Sequence, residues 1–131
     1  MARKISTHLM FEGVAEEAMN FYVSLFGGSE ITLIERYGPG ELGAEGTVKK
    51  ATFTLRGQEF ICIDSPVQHD FTFTPSISLF VDCESDAEIE EVFSRLSSGG
   101  LVLMPLGNYG FSTKFGWVKD RFGPSWQLNL A

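Results

Sequence analysis

The chain has 131 residues, the size of one domain, and its twelve Phe, three Tyr and two Trp supply ample core material. Seventeen acidic against ten basic residues give a formal charge of −7, which argues against a basic face for nucleic-acid phosphates. No apolar run approaches the roughly 20 residues of a spanning helix, no apolar signal core follows Arg3 and Lys4, and Cys62 and Cys83 form no CxxC pair. The expectation is a reduced, cytoplasmic protein with no nucleic-acid or membrane partner.

Lys4–Phe11 alternates Ile5, Thr7, Leu9 and Phe11 against Ser6, His8 and Met10, the pattern of a half-buried strand with His8 opposite the apolar face. Apolar positions 14, 18, 21, 22, 25 and 26 then form a helical stripe that Gly27-Gly28 ends. Ser29–Arg36 reads as a strand. Tyr37–Gly46 holds four of the fourteen glycines and no regular pattern, and is expected to be a mobile loop able to serve as a lid. Val48–Leu55 and Glu59–Asp64 flank Arg56-Gly57-Gln58 as a hairpin.

An irregular link, Ser65–Pro75, contains His69, for which a surface or dimer contact is expected. Ser76–Asp82 reads as a strand, and Ser85 with Glu88 forms a capping box before a helix with apolar positions 89, 92, 93 and 96. Gly99-Gly100 ends that helix, and Leu101–Leu106 is the next strand. In the last hairpin Thr113, Phe115, Trp117 and Lys119 alternate with Lys114, Gly116 and Val118. Asp120–Pro124 makes the turn, and Trp126, Leu128 and Leu130 then alternate with Ser125, Gln127 and Asn129. The amide side chains of Gln127 and Asn129 therefore share one face and suit the wall of a small-molecule cavity.

The order strand, helix, double glycine, strand, hairpin occurs twice. Phe21, Gly27 and Gly28 recur as Phe93, Gly99 and Gly100, each 72 residues later. This is an internal βαβββ duplication, with module one at about 1–66 and module two at about 75–131 of a single domain, residues 1–131.

Several motifs resemble the vicinal oxygen chelate (glyoxalase/bleomycin-resistance/dioxygenase) superfamily, and within it the PhnB-like, demethylubiquinone methyltransferase-like branch. They are Phe11-Glu12-Gly13 with Glu16–Tyr22 and Leu25-Phe26, then Phe71–Leu79, and above all Gly116–Gln127. The resemblance implies an α+β glyoxalase-type fold in which two βαβββ modules curl mixed sheets around a cavity, and it implies a homodimer. It also implies ligand slots on the first and last strands of each module. Gln127 looks like the slot of a final-strand glutamate and Ser76 like that of a second-module histidine. His8, or Ser6 in the alternative register, fills the first-strand slot, and Cys62 or Asp64 the remaining one.

This set is a poor divalent-metal site, because a hydroxyl and a neutral amide replace two good donors. No catalytic metal and no cofactor are expected. The branch's methyltransferase label calls for a glycine-rich turn for a methyl-donor nucleotide, and no Gly-x-Gly-x-x-Gly opens a helix here. The candidate ligand-binding residues are Ser6, His8, Cys62, Asp64, Ser76, Ser78, Trp117, Gln127 and Asn129. His8 is the candidate acid–base group, since imidazole suits proton transfer near neutral pH. Cys62 has a second reading as a small buried hydrophobe, and Lys114 is open to an acidic ligand or to solvent.

The leading expectation is a metal-free protein that binds a small organic molecule, with catalysis undecided. The alternatives are a metal-dependent lyase, isomerase or dioxygenase of the superfamily, and a non-catalytic dimeric interaction module.

Overall fold

The computed structural model describes residues 1–131. The chain forms two compact units, Met1–His69 and Asp70–Ala131, that divide within the link after the first hairpin. The first unit runs β1 (Thr7–Phe11), α1 (Ala15–Leu25), β2 (Glu30–Arg36), β3 (Val48–Leu55) and β4 (Gln58–Asp64). The second runs β5 (Ser78–Asp82), α2 (Asp86–Ser97), β6 (Leu101–Gly107), β7 (Lys114–Lys119) and β8 (Ser125–Leu130). Each unit is thus one βαβββ module, and the fold is α+β. Neither helix is long and apolar enough to cross a membrane.

The sheets have the same topology, β1-β4-β3-β2 and β5-β8-β7-β6. In each, the first strand pairs parallel with the last, and the other neighbours are antiparallel. A parallel pair needs a long crossover, and the helix with its two following strands provides it.

Each helix lies on one sheet face. In the first unit Ala15, Ala18, Met19, Tyr22 and Leu25 are buried, and the Tyr22 ring meets Phe53 of β3 at 6.3 Å. Phe53 stacks on Phe60 of β4 at 5.1 Å. In the second unit Ile89, Val92, Phe93 and Leu96 of α2 are buried, as are Val118, Trp126 and Leu128 of the sheet. A methyl placed on Gly116 would lie 2.5 Å from the Phe93 ring, so only glycine lets α2 sit this close to β7.

Glycine conformation ends both helices: Gly28 and Gly99 have φ of +73° and +72°, a region that costs other residues energy. The β3–β4 hairpin is closed by two residues, Arg56 and Gly57, both with positive φ and framed by the Leu55–Gln58 pair. That is a type I′ arrangement.

Three expectations need correction. β1 begins at Thr7 rather than Lys4, and Ile5 is 92% exposed. β5 begins at Ser78, leaving Ser76 in the preceding turn. The Tyr37–Gly46 segment is laced down rather than loose. Tyr37 is buried against Gly43, where a Cβ would lie 2.3 Å from its ring. Its N–H donates to Thr47 O, and Gly46 N–H donates back to Tyr37 O, each at 2.9 Å. Glu41 accepts from both Gly38 N–H and Lys49 Nζ. The Lys49 hydrogen bond, helped by that of Gly38, holds the Glu41 carboxyl below its ordinary value.

Candidate functional site

Alternation and register decide which side chains share a face. In β4 the buried positions are Phe60, Cys62 and Asp64. Leu9 pairs with Cys62 and Phe11 with Asp64, so all four face α1. His8 pairs with Ile61 and Met10 with Ile63, and these side chains face away from the helix. The grouping of Cys62 and Asp64 with His8 is therefore corrected: the sheet stands between them. Ser6 precedes β1, and its Oγ donates to Glu59 at 3.1 Å. His8 is exposed on its strand.

Cys62 is completely buried and its thiol is pushed up to about 12, chiefly by desolvation and then by the Asp64 charge. Such a thiol is inert at neutral pH. Asp64 is 3% exposed. Its Oδ1 accepts the N–H of Gly13 at 2.7 Å and of Ala15 at 3.0 Å, and its Oδ2 accepts that of Val48 at 2.8 Å. Two of those donors flank the start of α1, where the helix dipole favours an anion. Asp64 is a structural carboxylate, with both oxygens committed.

In the second unit the face away from α2 carries three rows across β5, β8 and β7. They are Ser78–Ser125–Lys119, Phe80–Gln127–Trp117 and Asp82–Asn129–Phe115. Four of these residues form one hydrogen-bonded chain. Trp117 Nε1 donates to Ser125 Oγ at 2.8 Å. The Ser125 and Ser78 hydroxyls share a bond of 2.7 Å, and Gln127 Nε2 donates to Ser78 Oγ at 3.3 Å. Counting protons shows what remains. One hydroxyl proton is used between the two serines, so whichever way it points, the other hydroxyl keeps a donor. The Gln127 carbonyl oxygen keeps its acceptor capacity. Asn129 Nδ2 donates to Asp82 Oδ1 at 3.0 Å.

Ser76, expected in a ligand slot, is exposed in its turn and bonds Thr74 Oγ1 at 2.9 Å. Ser78 stands on the face that Ser76 was expected to occupy. Lys114 belongs to the other face, held by Asp86 and Glu90 of α2 at 2.6 and 2.7 Å. His69 Nε2 shares a 2.8 Å hydrogen bond with Ser65 Oγ. Ser125, the hub of the chain, is not among the candidates above, although its alternation with Gln127 and Asn129 marks the same face. The β5–β8 register adds Phe80 and Asp82 to that face.

By their chemistry the candidate residues Cys62, Asp64, Ser76 and Gln127 make a poor divalent-ion site. No group of three or more His, Cys, Asp or Glu side chains is placed to hold one. Cys62 resists ionisation, and both Asp64 oxygens serve backbone amides.

The model of a family described as 3-demethylubiquinone-9 3-methyltransferase matches residues 3–129. The chain is 63% identical to a PhnB protein from Bacillus cereus, covering 98% of this chain and all of that one, with a TM-score of 0.96. A protein from Pseudomonas aeruginosa is 27% identical over 98% of each chain, with a TM-score of 0.84. A glyoxalase/bleomycin resistance protein/dioxygenase from Alicyclobacillus acidocaldarius shares the fold at 13% identity. It covers 98% of this chain and 94% of that one, with a TM-score of 0.53. No curated protein matches the chain.

Proposed function

Because the chain belongs to the 3-demethylubiquinone-9 3-methyltransferase family, we propose that it is a PhnB-like member of the vicinal oxygen chelate superfamily and binds a small organic molecule without a catalytic metal. The observation that carries this reading is the Trp117–Ser125–Ser78–Gln127 chain on the sheet face away from α2. It combines a fixed indole, a spare hydroxyl donor and a spare amide acceptor, the few convergent polar groups on an aromatic wall that small-molecule sites use. Fixing those groups in advance lowers the ordering cost of binding.

The methyl transfer in the family's description is not part of the proposal. A methyl-donor nucleotide needs a glycine-rich strand-to-helix turn. The two such junctions here read Glu12-Gly13-Val14 and Cys83-Glu84-Ser85. His8 is the acid–base candidate, exposed on β1 and facing away from α1. A homodimer belongs to the proposal, supported by exposed Leu101 and Val102 on the edge strand β6.

A thermal-shift screen of small organic molecules, followed by titration calorimetry, tests the reading. Hits are expected to bind Gln127→Ala at least about tenfold more weakly, equivalent to about 1.4 kcal/mol, with His8→Ala altering any turnover. Hits that bind both variants like the parent would show that the assigned residues are wrong. Sedimentation of a monomer at micromolar concentration would remove the dimer.

A further inference from the structure

The second unit carries an aromatic group beside the hydrogen-bonded chain. Phe115 of β7 is its buried base, 6% exposed. Phe111 meets it edge-on at 5.0 Å and 72°, Tyr109 at 6.2 Å and 89°, and Phe80 of β5 at 6.5 Å. Phe80 and Phe111 are nevertheless 57% and 64% exposed. Tyr109 is fixed by its hydroxyl, which donates to Pro105 O at 2.6 Å, so these rings form a supported surface rather than loose side chains.

One carboxylate shares that face. Asp82 follows Phe80 by two positions on β5, and Asn129 lies between it and Phe115 in the same row. Asn129 engages one Asp82 oxygen and orients the carboxylate. The nearby cation Lys114 points to the other face, where Asp86 and Glu90 neutralise it. The cation on this face, Lys119, stands four positions along β7 from Phe115, about 13 Å away at strand spacing. The Asp82–Glu91 stretch itself contains six acidic residues and no basic one, in a chain of formal charge −7.

We propose that the aromatic group of Phe80, Tyr109, Phe111 and Phe115, with Asp82 at its edge, receives an organic cation: a substituted ammonium or a cationic nitrogen ring. Ring faces present negative charge to a cation, and a carboxylate beside them supplies the counter-charge. A neutral apolar ligand would not need Asp82, and an anionic one would meet it as repulsion. The proposal rests on the small-molecule reading above and names the chemical class for this end of the same face.

The experiment titrates ¹⁵N-labelled full-length protein with benzyltrimethylammonium, benzyl alcohol and benzoate at low salt. The ammonium is expected to bind at least tenfold more tightly than either other probe and to shift the amides of Phe80, Asp82, Phe111 and Phe115. Asp82→Asn and Phe111→Ala should each weaken it at least fivefold, and added NaCl should weaken it further. Asp82 and Phe111 are exposed, so both variants should keep the parent spectrum elsewhere. Benzoate binding as tightly as the ammonium would overturn the proposal, as would an unchanged affinity in Asp82→Asn. A dimer that Phe111→Ala dissociates, with no ammonium binding, would overturn it by assigning the face to a second copy. The broader reading has its own readout: if Gln127-dependent hits appear while the ammonium fails, only the cation assignment falls. If neither appears, both fall.

Discussion

The first unit starts its helix without a local cap, whereas the second caps its own. Val14 stands at the N-cap of α1 with no side-chain hydrogen bond, and the donors around it reach Asp64, 51 and 49 residues away. Ser85 at the N-cap of α2 accepts Glu88 N–H at 3.1 Å, and Glu88 accepts Glu84 N–H in return. The second unit keeps a buried carboxylate too, but in the β7–β8 turn. There Asp120 accepts Phe122 N–H, Gly123 N–H and Trp126 Nε1 within six residues. A duplicated module therefore copies its strand order, while the polar anchors settle wherever the backbone leaves donors unsatisfied. One helix start depends on tertiary structure, the other on its own sequence.

The sharpest test of that contrast compares Asp64→Ala with Ser85→Ala. Removing Asp64 orphans the buried N–H donors of Ala15 and Val48 and frees that of exposed Gly13, and a loss of about 3–5 kcal/mol is expected. Ser85→Ala deletes one exposed cap and should cost about 1 kcal/mol. Urea midpoints measure both, and hydrogen exchange locates them. In Asp64→Ala the protection of β1, α1 and β3 should collapse together. Equal losses for the two variants would erase the distinction between a tertiary and a local cap.

A second contrast lies in how closely each helix approaches its sheet. Ala51 of β3 is buried on the α1 side with a methyl in place, whereas Gly116 of β7 has none. Gly116→Ala would put Cβ at 2.5 Å from Phe93 and 2.8 Å from Leu106. Overpacking of this kind costs about 1–3 kcal/mol, and thermal unfolding should register it. Phe93→Leu in the same chain is expected to recover part of the loss, since the nearer of the two clashes is with that ring. A neutral Gly116→Ala would mean that α2 shifts freely over its sheet.

Much of this architecture is legible in the sequence because it is local. The apolar positions 89, 92, 93 and 96 are the four buried residues of α2. The alternation in the last hairpin separates Trp126 and Leu128 from Ser125 and Gln127, as the strand does. The misread starts of β1 and β5 have one cause. Ile5 and Ser76 continue an alternating pattern, but the paired register begins only at Thr7 with Phe60 and at Ser78 with Ser125. Register also explains the misplacement of Cys62 and Asp64. Alternation sorts each strand into two faces, but which face of β4 joins which face of β1 is a property of a pairing about 50 residues apart. The anchoring role of Asp64 is hidden for a related reason, since nothing near it in sequence shows that Gly13 and Val48 need an acceptor.

The smallest expected effect concerns the two thiols, one in each unit and both free and buried. Desolvation, with the Asp64 charge second, raises Cys62 from 9.0 to about 12. Desolvation, with Glu88 and then Asp82, raises Cys83 from 9.0 to about 11. A raised thiol is protonated in the folded chain while the unfolded chain has already lost its proton. Its stabilising contribution is therefore complete below about pH 9 and falls as pH rises through the folded value, which for Cys83 is reached first. At pH 8 the native protein should leave both thiols unlabelled by a disulfide reagent, and denaturant should expose two. Between pH 9 and 11 the order should be Cys83 before Cys62, followed by peptide mapping. Only the thiolate attacks, and Cys62 is completely buried while Cys83 retains 8% exposure. Labelling of Cys62 first would show that the first unit opens before the second. That would locate the weaker module at the helix whose start relies on a carboxylate 49 residues away.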